Sequence, residues 1–446
     1  MNIYTKKLYI VEKTCAMNHS VKNKRKDLKS LNRSILRSHL KEAQRDKEWM
    51  SDSNGWLRFK FKMQVAFEFA IGAFFYIIYI LSPKKPFRTY QAAHQGIFPV
   101  LDERCSIGLL SDWASYTSES VMMGHLLNRQ GCDITIHMGD IYYVGSRKDV
   151  LLNFGAEGAW PWGSKGSFAI PGNHEYFSNA DGFFKELLPK MGIKDGETHW
   201  KQESGFFCLE NKYWRIIGLD TGYHSVKDSI FKLTLGQDAR LDDQILRWLK
   251  EKVKPFAPGD NRGIILLTHH QPKSAFEKTY DRIVQQLIPI FGESRPFIWL
   301  WGHEHRLAFY GVDTEKDLLK GFGRCIGHGG MPINLGNTVE LDEPKPDRAD
   351  RQSLIFHDQR SNPRHADLKV QANEVVGYNG YAIIELEQHR AFIRYYDELS
   401  EQPLVTETWQ VDLEEGSLRG TIDVHESGMS YYKNALAEDA VTIRNL

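Results

Sequence analysis

The sequence predicts an α/β (α+β) fold that carries its functional groups on loops at one edge of its sheets, and two observations predict it. From about Cys105 onward, short apolar runs end repeatedly in polar clusters: CSIGLL before SDW, DITIHM before GD, GSFAI before PGNHE, WRIIGL before DT, GIILL before THH, and PFIWLW before GHEH. Continuous apolar runs of this length are what strands buried on both faces look like. Between several of them lie patterns such as SESVMMGHLLNR and LDDQILRWLKEKV, whose apolar residues recur with the 3.6-residue period of helices packed on a sheet. Strands alternating with helices, with polar residues gathered after the strand ends, are the layout of a loop-borne site.

Taken in order, the chain opens with residues 6–52, which are rich in Lys and Arg and have a weak helical rhythm through Leu28, Leu31, Ile35, Leu36 and Leu40. This reads as a loosely helical arm, either a solvated charge run or a segment that touches anionic lipid or another polyanion. Next comes FKMQVAFEFAIGAFFYIIYILSPKK, whose uncharged core, residues 69–81, is 13 residues long. A helix needs roughly 20 to span a bilayer. Spanning would bury Glu68, and basic residues flank the stretch on both sides. Three readings stay open: a buried or interfacial helix, a true anchor, and an export signal used from an internal start. After Asn373 the pattern is strand-like, with a hairpin expected at Gln388 and His389. The expected organisation is a basic and apolar helical N-terminal extension over residues 1–95, a catalytic domain over 96–415, and a weakly ordered tail over 416–446.

Composition narrows the function classes. The 446 residues are 41% hydrophobic and 26% charged with zero formal net charge, so nothing in the whole chain points to a polyanionic partner, and nucleic acid is not expected. The five cysteines are odd in number and include no C-x-x-C pair, which fits a reducing compartment. The first residues lack the pattern of a cleaved secretory signal. The expectation is a cytoplasmic protein, with membrane association through residues 56–88 held open; oligomeric state is not legible.

Five of the strand ends present metal-ligand residue types: Asp112 in SDWAS, Asp140 and Tyr143 in GDIYY, Asn173 and His174 in GNHE, His269 in LTHH, and His303 with His305 in GHEH. Hard oxygen donors mixed with imidazoles suit two adjacent, moderately hard cations, and a carboxylate can bridge them. In order and spacing the series resembles the purple acid phosphatase-like branch of the calcineurin-like metallophosphoesterases, whose blocks run D-x-G, G-D-x-x-Y, G-N-H-E/D, V-x-x-H and G-H-x-H. The match covers residues 105–308. The wider superfamily usually has D-x-H in its first block. Here Trp113 and Ala114 follow Asp112, and Tyr143 stands where the purple phosphatases place a tyrosinate.

The resemblance implies a sandwich of two mixed β-sheets flanked by helices, and a binuclear phosphoester hydrolase. It gives one metal to Asp112, Tyr143 and His305, a second to Asn173, His269 and His303, and makes Asp140 the bridge. A phenolate at Tyr143 suits Fe(III), with Fe(II), Zn(II) or Mn(II) at the second position. His174 is expected to orient phosphate and protonate the leaving oxygen, and His270, Arg147 and His328 are further candidates for substrate contact. Two departures count against a full carry-over: Ala114 replaces the usual Gly, and the export signal typical of secreted members is missing. Hydrolysis of phospholipid or lipid-linked pyrophosphate at a membrane surface is an alternative function, and a non-catalytic, metal-stabilised phosphate-binding module is another.

Overall fold

The computed structural model describes residues 84–99, 101–115, 117–156, 158–195, 198–226, 238–292, 295–312, 319–331, 333–337, 353–362, 374–425, 429–431 and 441–445. The chain divides into two units, residues 1–75 and 76–446. The basic arm and the apolar stretch expected at 63–82 lie outside the described residues. Among the described residues, no helix is long and apolar enough to cross a membrane.

The described strands are β1 (Ile97–Phe98), β2 (Arg104–Leu110), β3 (Ile134–His137), β4 (Gly166–Ala169), β5 (Gly192–Asp195), β6 (Thr198–Lys201), β7 (Phe207–Glu210), β8 (Trp214–Leu219), β9 (Gly263–Thr268), β10 (Phe297–Trp301), β11 (Leu307–Tyr310), β12 (Gly321–Ile326), β13 (Asn334–Asn337), β14 (Leu354–Asp358), β15 (Glu374–Val376), β16 (Gly380–Glu387), β17 (Arg390–Asp397), β18 (Val405–Val411), β19 (Leu418–Val424), β20 (Met429–Tyr431) and β21 (Val441–Asn445). The longer helices are α1 (Ser118–Gln130), α2 (Arg147–Phe154), α3 (Asp243–Trp248) and α4 (Asp281–Phe291). All six strands expected from the apolar runs are present.

They form two mixed sheets, ordered β1-β7-β8-β9-β10-β12-β11-β14-β20 and β21-β19-β18-β17-β16-β2-β3-β4-β5-β6. In the first, β8, β9 and β10 run parallel side by side; in the second, β2, β3 and β4 do. The facing sides bury Ile107, Leu109, Ile136 and Phe168 of one sheet against Ile216, Ile265, Leu267 and Leu300 of the other. Each such side chain contributes roughly 1.5–3 kcal/mol relative to exposure. On the outer faces, Met123 and Leu127 of α1 and Val150 and Phe154 of α2 cover Leu110 and Ala169. Ile245 of α3 and Ile283 and Leu287 of α4 cover Ile217 and Leu266. The result is the expected sandwich of two sheets between helices, because strands apolar on both faces need cover on both.

The expected domain limits need correction at both ends. Residues 84–95 pack on the sandwich instead of standing off it, since the Tyr90 hydroxyl donates to the Phe206 carbonyl at 2.7 Å and its ring packs edge-on to Phe98 and Phe206. Past residue 415, β19 pairs with β18 and then with β21, so the described residues 418–424 and 441–445 are part of that sheet and not of a tail. Its alternation is interrupted by Arg419 and Gly420, which hid the strand.

Candidate metal centre

The two parallel triplets point their carboxyl ends at one place. Asp112 follows β2, Asp140 follows β3 and Asn173 follows β4, while His269 follows β9 and His303 and His305 follow β10. Parallel strands deliver their loops to a common edge, and here two sheets do so from opposite sides of the core. Asp112, Asp140 and His303 turn the chain with φ of 54°, 67° and 65°, in the left-handed region that Asp, Asn and His enter more readily than most residues. Gly302 lets the sheets meet: a Cβ there would stand 1.8 Å from Ser111 Oγ and 2.5 Å from Asp112 Oδ2.

The side chains interlock across this seam. Asp112 Oδ2 accepts from Ser111 Oγ at 2.7 Å and from the His303 N–H at 3.0 Å. Asp140 Oδ1 accepts from the His174 N–H at 3.1 Å and lies 3.2 Å from His269 Nε2. His269 Nδ1 meets the Met138 carbonyl at 3.0 Å, which fixes its ring and leaves Nε2 toward the centre. Asp140, His269 and His303 bring one ligand atom each within 4.8 Å of one another. His305 Nε2 lies 3.5 Å from Asp112 Oδ1.

Tyr143 is the expectation that fails. Its side chain is 64% exposed, and it is Tyr142 that is buried at the centre. The Tyr142 hydroxyl stands 3.0 Å from Asp112 Oδ1, 3.3 Å from Asp140 Oδ2 and 2.9 Å from His305 Nε2. Spacing counted from Asp140 pointed to Tyr143, but of the two adjacent tyrosines it is Tyr142 that turns inward from the loop. Tyr143 contributes its carbonyl instead, which binds His174 Nδ1 and leaves Nε2 3.7 Å from Asp140 Oδ2.

The candidate substrate contacts also redistribute. Arg147 is paired with Glu186 at 2.6 Å, with most of its side chain exposed to solvent. His328 is buried against Gly380, so it cannot meet a substrate; its segment braces Asp112, with the Gly329 N–H on the Ser111 carbonyl at 3.0 Å. His270 is fully buried, bonded through Nδ1 to Thr221 at 2.8 Å, with its ring 4.7 Å from that of His303.

Two residues went unassigned in the sequence reading. Glu175, the last letter of GNHE, accepts the N–H of Gly172 at 2.8 Å and of Asp140 at 3.2 Å through one oxygen, tying the β3 and β4 loops together. The motif itself was the signal. Tyr280 sets its hydroxyl 3.2 Å from His303 Nε2, and no motif marks it.

The electrostatics describe a site built for cations. Burial alone would raise Asp140, yet His269 and His174 hold it well below the usual carboxylate range, and His269 and His305 lower Asp112 likewise. Burial works against charging His269, but Asp140 and Asp112 push it up to about 10. Ligation would therefore displace a proton from it. His303 is lowered to about 4 by burial and by His269, and is neutral as a ligand must be. Burial, then Asp140, raises Glu175 to about 8, so it keeps its proton near neutrality. Asn173 is 4% exposed, and its Oδ1 has no hydrogen-bond partner among the described residues. A Cβ at Gly172 would stand 2.2 Å from Asp140 Oδ1 and 2.6 Å from His269 Nε2, so the space between them is kept clear. An unpaired buried oxygen, a cleared cradle and a carboxylate–imidazole–phenol donor set fit a metal centre.

Residues 106–307 match the model of the calcineurin-like phosphoesterase family. No curated protein matches the chain. Similar solved structures include the purple acid phosphatase PPD1 from yellow lupin (Lupinus luteus) seeds, at 14% identity and a TM-score of 0.43 over 69% of this chain and 54% of that one. GAP50, described as the anchor in the inner membrane complex of Plasmodium, is similar at 12% identity and a TM-score of 0.47 over 69% and 89%. PhoD is similar at 11% and 0.43 over 78% and 75%. The chain thus spans about half the length of the lupin phosphatase.

Proposed function

Residues 106–307 belong to the calcineurin-like phosphoesterases, and from that premise we propose that this enzyme hydrolyses a phosphomonoester or phosphodiester with two metal ions held side by side. Asp112, Tyr142 and His305 would hold one ion, Asn173, His269 and His303 the other, and Asp140 both. When bound, such ions supply Lewis acidity to the phosphoryl oxygens and acidify the attacking water. The Tyr142 phenol, in the role expected of Tyr143, favours Fe(III) in the first position, with Fe(II), Zn(II) or Mn(II) in the second. The observation that carries the reading is the convergence of Asp140, His269 and His303 within 4.8 Å, beside the unpaired Asn173 oxygen.

The chain's own residues divide the remaining work. Its Nδ1 bound to the Tyr143 carbonyl, His174 presents Nε2 beside Asp140 with a quarter of its side chain exposed, where it can steer a phosphate and give a proton to the leaving oxygen. The neighbouring His269 is fully enclosed and is suited only to ligation. Elemental analysis of the purified full chain, with turnover of aryl phosphate mono- and diesters before and after chelation, tests the proposal. Activity lost on chelation and restored by metal is expected; a metal-loaded protein silent on both esters at every pH would overturn it.

A substrate presented at a membrane, such as a phospholipid or a lipid-linked pyrophosphate, is the second reading. It is favoured by the basic segment at 84–88, which packs against Tyr223 and through it against Tyr176, three residues beyond Asn173.

A further inference from the structure

Residues 84–88 form a strap with a cationic outer side. The Lys84 ammonium sits 4.1 Å over the Tyr223 ring and the Arg88 guanidinium 4.6 Å over Phe184. Lys85 pairs with Asp181, and its carbonyl accepts the Tyr223 hydroxyl at 2.8 Å. Together with Tyr176, these residues line a cleft with an aromatic floor and a basic rim. The helical turn Phe183–Leu187 continues this face to α2, because its Glu186 holds Arg147. On α2, Arg147, Lys148 and Leu151 are spaced to share one side, all three are exposed, and Leu151 is 47% so. Tyr143, at 64%, precedes them by one turn of chain.

The cations Lys84, Lys85, Arg88, Arg147, Lys148 and Lys185 outnumber the neighbouring carboxylates Asp149, Asp181 and Glu186, in a chain of zero net charge. A lone exposed leucine or tyrosine is ordinary. An exposed leucine and tyrosine set among surplus cations, on a strap whose sequence follows the uncharged run 69–81 by two residues, is the chemistry of a surface that rests on acidic headgroups. Lysine and arginine stems lying over aromatic rings add apolar surface while the charges stay in water. We propose that this face, the 84–88 cleft with the outer side of α2, docks the domain on an anionic lipid bilayer. Through the Tyr143 carbonyl it adjoins His174, so docking would set the centre beside phosphate groups at the membrane surface. That last step rests on the membrane reading above; the docking itself does not.

Flotation of the full chain with phosphatidylcholine vesicles, and with vesicles also containing phosphatidylserine, tests the docking without any metal or substrate. Binding to the acidic vesicles is expected to exceed binding to the neutral ones by about tenfold or more and to weaken as salt rises. The double variant Lys148→Glu/Leu151→Ser should lose about fivefold or more of that preference, at roughly fivefold per basic residue. It should turn over a soluble aryl phosphate like the parent. The pair Lys84→Glu/Arg88→Glu provides the same reading if the α2 variant does not fold. Equal flotation on both vesicle types, which would assign binding to the apolar run alone, overturns the proposal. So does absence of flotation, or unchanged flotation of both folded variants. Intact flotation with no hydrolysis of any ester would sink the hydrolase reading and leave the docking face standing.

Discussion

Arg324 of β12 and Glu407 of β18 meet between the two sheets, both fully buried, and every polar atom of the pair is occupied. Arg324 Nε and Nη2 donate to the two Glu407 oxygens at 2.5 and 3.2 Å, and Nη1 donates to the carbonyls of Tyr310 and Gly323 at 3.0 and 2.6 Å. Tyr395 Oη and Trp409 Nε1 complete the carboxylate at 2.9 and 2.5 Å. The centre at the strand ends is as deeply placed but left incomplete: Asn173 Oδ1, Glu175 Oε1 and His270 Nε2 have no hydrogen-bond partner among the described residues. A buried polar atom without a partner costs on the order of 1–3 kcal/mol. The first cluster therefore serves the fold by itself, whereas the second keeps donor atoms in reserve that the fold does not use.

Substitutions can break that contrast or sharpen it. Asp140→Asn should cost the largest amount of activity, on the order of a thousandfold or more in kcat/KM, with metal content falling too. Glu407→Gln should do the reverse. It leaves Arg324 buried and uncompensated, lowering unfolding free energy by about 3–5 kcal/mol while kcat/KM per folded molecule stays level. If Glu407→Gln spared stability and cut turnover, the division between the two clusters would be wrong.

Tyr142→Phe should weaken metal binding by about 10–100-fold in chelator competition, and Tyr143→Phe should leave it unchanged. The opposite ranking would return the phenol to the position that motif spacing first indicated. The smallest effect concerns Asp220, which burial raises from 3.8 to about 7 even as Tyr176, Gly222 and Tyr223 bond to it. Between those two values the folded chain binds the proton and the unfolded chain does not. Its contribution is therefore fully present below pH 3.8 and is lost as pH rises through about 7, at no more than about 1.4 kcal/mol per pH unit. Asp220→Asn should flatten that slope in pH-dependent urea unfolding.

The sandwich was legible because burial on both faces writes itself into the sequence as continuous apolar runs, and the polar residues that gather at the strand ends because each follows such a run. What could not be read depends on contacts distant along the chain. Arg147 resembled a substrate contact until Glu186, 39 residues on, was seen to hold it. Arg324 and Glu407 are 83 residues apart and carry no motif. His328 was a candidate substrate contact in a glycine-rich stretch, but those glycines admit close packing against Ser111 and Trp113.

The backbone at Asp112, Asp140 and His303 has one further consequence. Those three corners accept Asn, Asp or His with little strain, and β-branched residues with a great deal. Chemistry and chain geometry thus filter the same short alphabet. A replacement that preserves charge but not shape, such as Asp140→Glu, would be penalised once by the donor's reach and again by the bend it must occupy. Descendants of this chain that drift at these corners have few exits open to them, and most of those exits are still able to grip a cation.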